Sequence, residues 1–167
     1  GKFDGNFHTI SGIQVSGGTY GGLFGLTNGA TIQNVGVKDG SVTAVHAGGI
    51  VGKAVSTTLT DVYNAGVSVN SQFDKNIEYS RFSAGGIVGY AENSKIKQAY
   101  NTATISGYGA GIVGSVVNGT EVKDVYNTGT VSRAFISYAA TGDTSNISCA
   151  YTTQGRLHSS LYGGKAD

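Results

Sequence analysis

A five-residue phrase returns four times along this chain. GGLFG spans Gly21 to Gly25, GGIVG spans Gly48 to Gly52 and again Gly85 to Gly89, and AGIVG spans Ala110 to Gly114. The closing glycines Gly25, Gly52, Gly89 and Gly114 lie 27, 37 and 25 residues apart. The residues that follow keep step. Ile32, Leu59 and Ile96 stand 7 residues after their glycine, and Val122 stands 8 after its own. Three positions on come Val35, Val62, Ala99 and Val125, and directly after them Gly36, Tyr63, Tyr100 and Tyr126. A worn copy, ISCAYTTQG, aligns Ile147, Ala150 and Tyr151 with Val122, Val125 and Tyr126. Self-similarity at such a period is the mark of stacked structural repeats.

Each unit is built from short runs rich in Val, Ile, Thr and Tyr, separated by Gly and Asn. Such runs are strands and turns, and no segment sustains a helical period. One unit cannot bury its own apolar face, whereas stacked units bury a continuous core. The fold class expected is therefore all-β: a single-stranded parallel β-solenoid, a right-handed β-helix of about five to six coils of ~25 residues. Three strands per coil are favoured over two. Residues 1–167 read as one solenoid domain. Within it, 1–20 is an atypical first coil, 71–82 a loop insertion, and 133–167 a degenerate last coil with a C-terminal cap or linker.

Stacking predicts ladders of like residues. Leu23/Phe24, Ile50/Val51, Ile87/Val88 and Ile112/Val113 make one. Ile32, Leu59, Ile96 and Val122 make another, and Val35, Val62, Ala99 and Val125 an inward one. Tyr63, Tyr100, Tyr126 and Tyr151 make an aromatic ladder, placed outward or at a corner by strand alternation. Asn64, Asn101 and Asn127 make an amide ladder at the turn, each satisfying backbone groups of the next coil.

The stretches GGLFG…ATIQNVGV…GSV and GGIVG…YNTGTVS resemble GLUG-motif repeats, and FDGNFHTISG resembles the lead-in that precedes such repeats. The resemblance covers residues 1 to about 155 and implies a region of a large bacterial surface or secreted protein. Filamentous-haemagglutinin-like adhesins and IgA-cleaving zinc metallopeptidases carry such repeats. The 37-residue unit, Ala110 in place of the first glycine, and the worn fifth copy depart from the pattern.

Little else in the chain points to chemistry. A phosphate loop needs Gly-x-Gly-x-x-Gly, or a glycine loop ending in Lys-Ser/Thr, before a helix, and Gly49 to Lys53 has neither. His8, His46 and His158 form no HExxH and no close His/Cys pair, so no metal site is expected. No Gly-x-Ser-x-Gly elbow is present. No catalytic residue and no cofactor is therefore expected. The net charge of +1 gives no case for nucleic acid, and no apolar run reaches the length of a membrane span. The lone Cys149 is expected to be a small buried hydrophobe. Asp61 and Asp124 share a repeat position with Asn34 and Gln98, which stacks the two acids about 10 Å apart. Alternation with neutral amides reads as relief of like-charge stacking, while an acid pair at this spacing keeps a glycan-active alternative open.

The break in the repeat is the candidate contact surface. SQFDKNIEYSRF, Ser71 to Phe82, lengthens one coil and carries Phe73, Asp74, Lys75, Glu78, Tyr79 and Arg81. Insertions in solenoids emerge on one face and often bind. The expected function is a non-catalytic structural or adhesive β-solenoid segment of a bacterial cell-surface or secreted protein, at an extracellular location. Its expected partners are a host or cell-surface protein or glycan, and neighbouring domains of a larger chain. A carbohydrate-binding or polysaccharide-degrading β-helix and a self-assembling extracellular fibre subunit are the alternatives.

Overall fold

The structure, a computed structural model, describes residues 1–72, 83–132, 134–139, 147–153 and 156–158, with 134–139 and 156–158 described as backbone alone. The described residues are all strand and turn, and every strand pairing is parallel. The chain winds as a β-solenoid of about five turns.

One coil shows the plan. Strand β6 (Val51–Val55) leads through a turn to β7 (Thr58–Asn64), then β8 (Val67–Ser71), β9 (Ser83–Gly85) and β10 (Val88–Glu92). The sequence β11 (Lys95–Asn101), β12 (Ile105–Ser106), β13 (Gly109–Val117) repeats it, and β14 (Glu121–Asn127), β15 (Ala134–Ala139), β16 (Ile147–Thr152) and β17 (Arg156–His158) continue it. Before them stand β1 (Lys2–Ser16), β2 (Tyr20–Gly21), β3 (Phe24–Asn28), β4 (Thr31–Ala44) and β5 (His46–Gly48). The strands sort into two sheets. One contains β1, β4, β7, β11, β14 and β16 in stacking order, with β8 and β12 beside them; the other contains β2, β3, β5, β6, β9, β10, β13, β15 and β17. The coil β11, β12 and β13 carries the three strands favoured from sequence, and in β4 and β13 segments that are separate in other coils run on as one strand.

The ladders set the register. Ile32, Leu59, Ile96 and Val122 are consecutive pairing partners, as are Val35, Val62, Ala99 and Val125. Phe24, Val51, Val88 and Val113 stack in the opposite sheet. From coil two onward these residues, with Ile50, Ile87 and Ile112, are buried and form one core. Each such burial contributes about 1.5–3 kcal/mol. The first coil carries no full phrase, yet β1 pairs along its length with β4, interrupted only between Asp4 and His8.

The asparagine ladder stands at the turn, as expected, and lies inside the rod. Asn64, Asn101 and Asn127 pair in register and are fully buried. Burial of an amide is tolerable only when its groups are bonded. Asn64 Oδ1 accepts from the backbone N–H of Gly66 and Val67, and its Nδ2 donates to Val67 O at 2.9 Å and to Gly86 O at 3.1 Å. Asn101 Nδ2 donates to Ala103 O at 3.0 Å and to Asn127 Oδ1 at 2.7 Å. The amides therefore close mostly their own turns. They also reach across the interior to the glycine phrase. A Cβ on Gly86 would stand 2.5 Å from Asn101 Cγ, and one on Gly111 2.5 Å from Asn127 Cγ. The second glycine of the phrase is thus the space into which the amide fits.

This packing generates a stability prediction. Asn101→Ala removes a buried group and orphans the Ala103 amide and carbonyl, at a cost of about 1–3 kcal/mol. Thr128→Ala, on the exposed side of the same region, changes stability by less than ~0.5 kcal/mol. Urea unfolding of both variants, followed by far-UV circular dichroism, checks the contrast.

Candidate functional site

The inward ladders create the site by their spacing. Ile32 and Val35 both point inward, yet strand alternation carries inward residues at even separations. One residue between them must bulge out of the ladder. That residue is Asn34, and its counterparts are Asp61, Gln98, Asp124 and Cys149, all with left-handed φ of 55°, 54°, 49°, 54° and 49°. Asn and Asp adopt this region readily, whereas Gln98 and Cys149 do so at a conformational cost. The bulge row is carried on the outside of the rod. Cys149 is accordingly exposed, which corrects the expectation of a buried thiol.

Two residues beyond the bulge stands the tyrosine row, and its side is outward. The rings of Tyr63 and Tyr100 stack at 4.9 Å and 2° between planes, and those of Tyr100 and Tyr126 at 5.0 Å and 4°. The stack leans toward the first coil. Gly36 occupies the tyrosine position of β4, and a Cβ there would lie 1.9 Å from Tyr63 Cζ. The ring of Tyr63 therefore lies over Gly36, and its hydroxyl shares a hydrogen bond with the hydroxyl of Thr9 in β1, two coils away.

Between the two rows runs a groove of about 400 Å³. One wall is the bulge row Asn34, Asp61, Gln98 and Asp124; the other is Tyr63, Tyr100 and Tyr126; Val62 and Ala99 also line it, together with Phe7 from the first coil. Phe7 is 75% exposed and Tyr126 42%. The polar wall is unevenly engaged. Asn34 Nδ2 donates to Asp4 Oδ1 at 3.0 Å. The Asp4 carboxyl is held below its ordinary value by the Asn6 amide first, then by Asn34, with Gln33 and Lys2 helping and desolvation opposing. Asp61, Gln98 and Asp124 are exposed and, among the described residues, engage no protein partner. The arrangement offers carboxylate acceptors, amide donors and acceptors, and phenol groups in rows with one member per coil.

The residues singled out from sequence fall into three places. Tyr63, Tyr100 and Tyr126 wall the groove, while Asn64, Asn101 and Asn127 are sealed in the core. Phe73, Asp74, Lys75, Glu78, Tyr79 and Arg81 lie outside the described residues. The acid row was visible as stacked Asp61 and Asp124, but its pairing with the tyrosine row was not, because the bulge that turns both rows outward is a backbone event. Elsewhere, His46 Nδ1 and Ser83 Oγ share a hydrogen bond of 2.9 Å. Ser83 is only 1% exposed, so the pair is packed structure, not an open nucleophile. Among the described residues no group of three His, Cys, Asp or Glu is placed to hold a metal ion.

The phenol of Tyr100 is pushed above its ordinary pKa of 10.0, by desolvation first and then by the neighbouring phenols of Tyr126 and Tyr63. A raised folded-state value means a contribution to stability that is complete below pH 10.0 and is lost as pH rises through the folded value. In an alkaline titration followed by tyrosine Cζ NMR shifts, the resonance that Tyr100→Phe removes titrates above the ordinary phenol value. Titration of that resonance at the ordinary value contradicts the stacked arrangement.

Comparison with known proteins places this geometry. Residues 80–106 match the family model described as the GLUG motif. The stretch takes in the second GGIVG phrase, β9 to β12, and the ladder residues Ile96, Ala99, Tyr100 and Asn101. No curated protein and no solved structure matches the chain. This is a β-solenoid that carries a GLUG motif at residues 80–106, with the motif's ladder positions repeated in the coils on either side.

Proposed function

We propose that this chain is a non-catalytic structural and adhesive β-solenoid segment of a bacterial cell-surface or secreted protein, working outside the cell. The rod supplies stiffness through backbone ladders that run from coil to coil, and its flank supplies contact. The observation that carries the adhesive part is the groove. The trough itself follows from the core register, but nothing in that register calls for its exposed aromatic ends at Phe7 and Tyr126 or for Asp61, Gln98 and Asp124, which among the described residues engage no protein partner. Spacing between neighbouring modules follows from the same stiffness.

Binding is favoured over cleavage by the placement of the acids. Asp61 and Asp124 are two coils apart, about 10 Å, at the upper limit of the ~6.5–9.5 Å of an inverting carboxyl pair. Gln98, the residue between them, supplies no acid. Beads coated with the purified chain are expected to be retained on epithelial or bacterial cell layers well above albumin-coated beads, with no new reducing ends released from a panel of polysaccharides. Retention equal to albumin contradicts adhesion, and release of reducing ends contradicts the non-catalytic reading.

A further inference from the structure

We propose that the groove beside the tyrosine stack binds an extended neutral glycan lying parallel to the rod axis, with about one sugar per coil. The inference deepens the adhesive reading by naming the ligand class, but it stands on the groove alone.

The repeat of the groove selects a polymer. Its walls present one bulge-row residue and one tyrosine-row position per coil, at the parallel-strand spacing of about 4.8 Å. From Phe7 in the first coil to Tyr126 in the fifth it covers four such spacings, about 19 Å. A ligand that meets one wall residue per rung must repeat at close to that interval along the rod. One pyranose ring of an extended glycan spans about one coil spacing. A peptide strand, at about 3.3 Å per residue, falls out of step.

The chemistry selects hydroxyls. Asp61 and Asp124 accept hydrogen bonds, and Gln98 both accepts and donates, as vicinal sugar hydroxyls require. All three are exposed and take no partner from the protein among the described residues. The tyrosine faces are spent on one another inside the stack, so they present edges and phenol groups along the trough. The exposed aromatic surface lies at its two ends, at Phe7 and Tyr126. There the C–H faces of a sugar find apolar cover, while the middle bonds its hydroxyls.

The same features disfavour other occupants. Two unpaired carboxylates repel a sulfated or uronic glycan. A peptide that adds a strand needs a free sheet edge, and the strands beneath the groove, β7, β11 and β14, are each paired on both sides.

The test is titration of the purified chain with cello-, laminari-, galacto- and chito-oligosaccharides of two to six units, beside heparin, polygalacturonate and a lysine-rich peptide, followed by NMR shifts and calorimetry. At least one neutral series is expected to bind, with affinity rising to about four or five units and then levelling, as the groove length requires. Asp124→Ala and Asp61→Ala are each expected to weaken binding about tenfold or more, the size of a hydrogen bond to a charged group. Tyr126→Ala is expected to weaken it as well. All three sites are exposed, and an unchanged melting temperature shows that the fold is kept. No binding by any neutral series, preference for the anionic polymers or the peptide, or binding untouched by the three substitutions overturns the proposal. Glycan binding without cell retention overturns adhesion and leaves the groove intact. Cell retention untouched by the three variants keeps adhesion and removes the groove from it.

Discussion

The buried amide of each coil is the interaction on which the stack depends. Asn64, Asn101 and Asn127 sit where a small apolar residue would otherwise be expected, and each ties down the turn after its own strand. An amide in the core is unforgiving. It must be bonded on both ends, and so it admits one register only. The opposite sheet answers with glycine, because Gly86 and Gly111 leave the volume that the amides of Asn101 and Asn127 fill. A slip of one residue would place a side chain against the amide and leave its N–H and C=O groups unbonded. The aliphatic ladders contribute most of the burial, and the amide with its glycine specifies which positions meet.

The outer surface follows from the same register. Inward residues three apart, such as Ile96 and Ala99, force the intervening Gln98 into a left-handed bulge. The bulge turns its own side chain outward beside the tyrosine of the same strand. Because every coil repeats the step, the displaced residues line up as one wall and the tyrosines as the other. The groove is thus a by-product of core geometry, and only the identities of the displaced side chains are free to vary: Asn34, Asp61, Gln98, Asp124 and Cys149 differ while their backbone does not.

Much of the frame was legible in the chain itself. Ladders such as Ile32, Leu59, Ile96 and Val122 follow from self-alignment, since stacking puts like above like. What stayed hidden depended on backbone conformation. The inward place of Asn64 follows from alternation once Val62 is inward and Tyr63 outward, so it was overlooked and not hidden. Cys149 looked like a core residue by type and is exposed by position, because type does not reveal a left-handed φ. Phe7 at the end of the groove had no counterpart to align with, since the first coil carries extra residues between Asp4 and His8.

The second position of the phrase is glycine because the amide lies against it. A double-mutant cycle between Gly111→Ala and Asn127→Gly measures that contact directly, because the atoms nearest a Cβ at Gly111 all belong to the Asn127 side chain. Gly111→Ala alone drives a methyl into the amide and is strongly destabilising, and removal of the Asn127 side chain makes room for it. The two losses are predicted to fall short of their sum by about 0.5–3 kcal/mol, the range of residues in contact. Losses that simply add would show that glycine and amide are required for separate reasons, and would contradict the account.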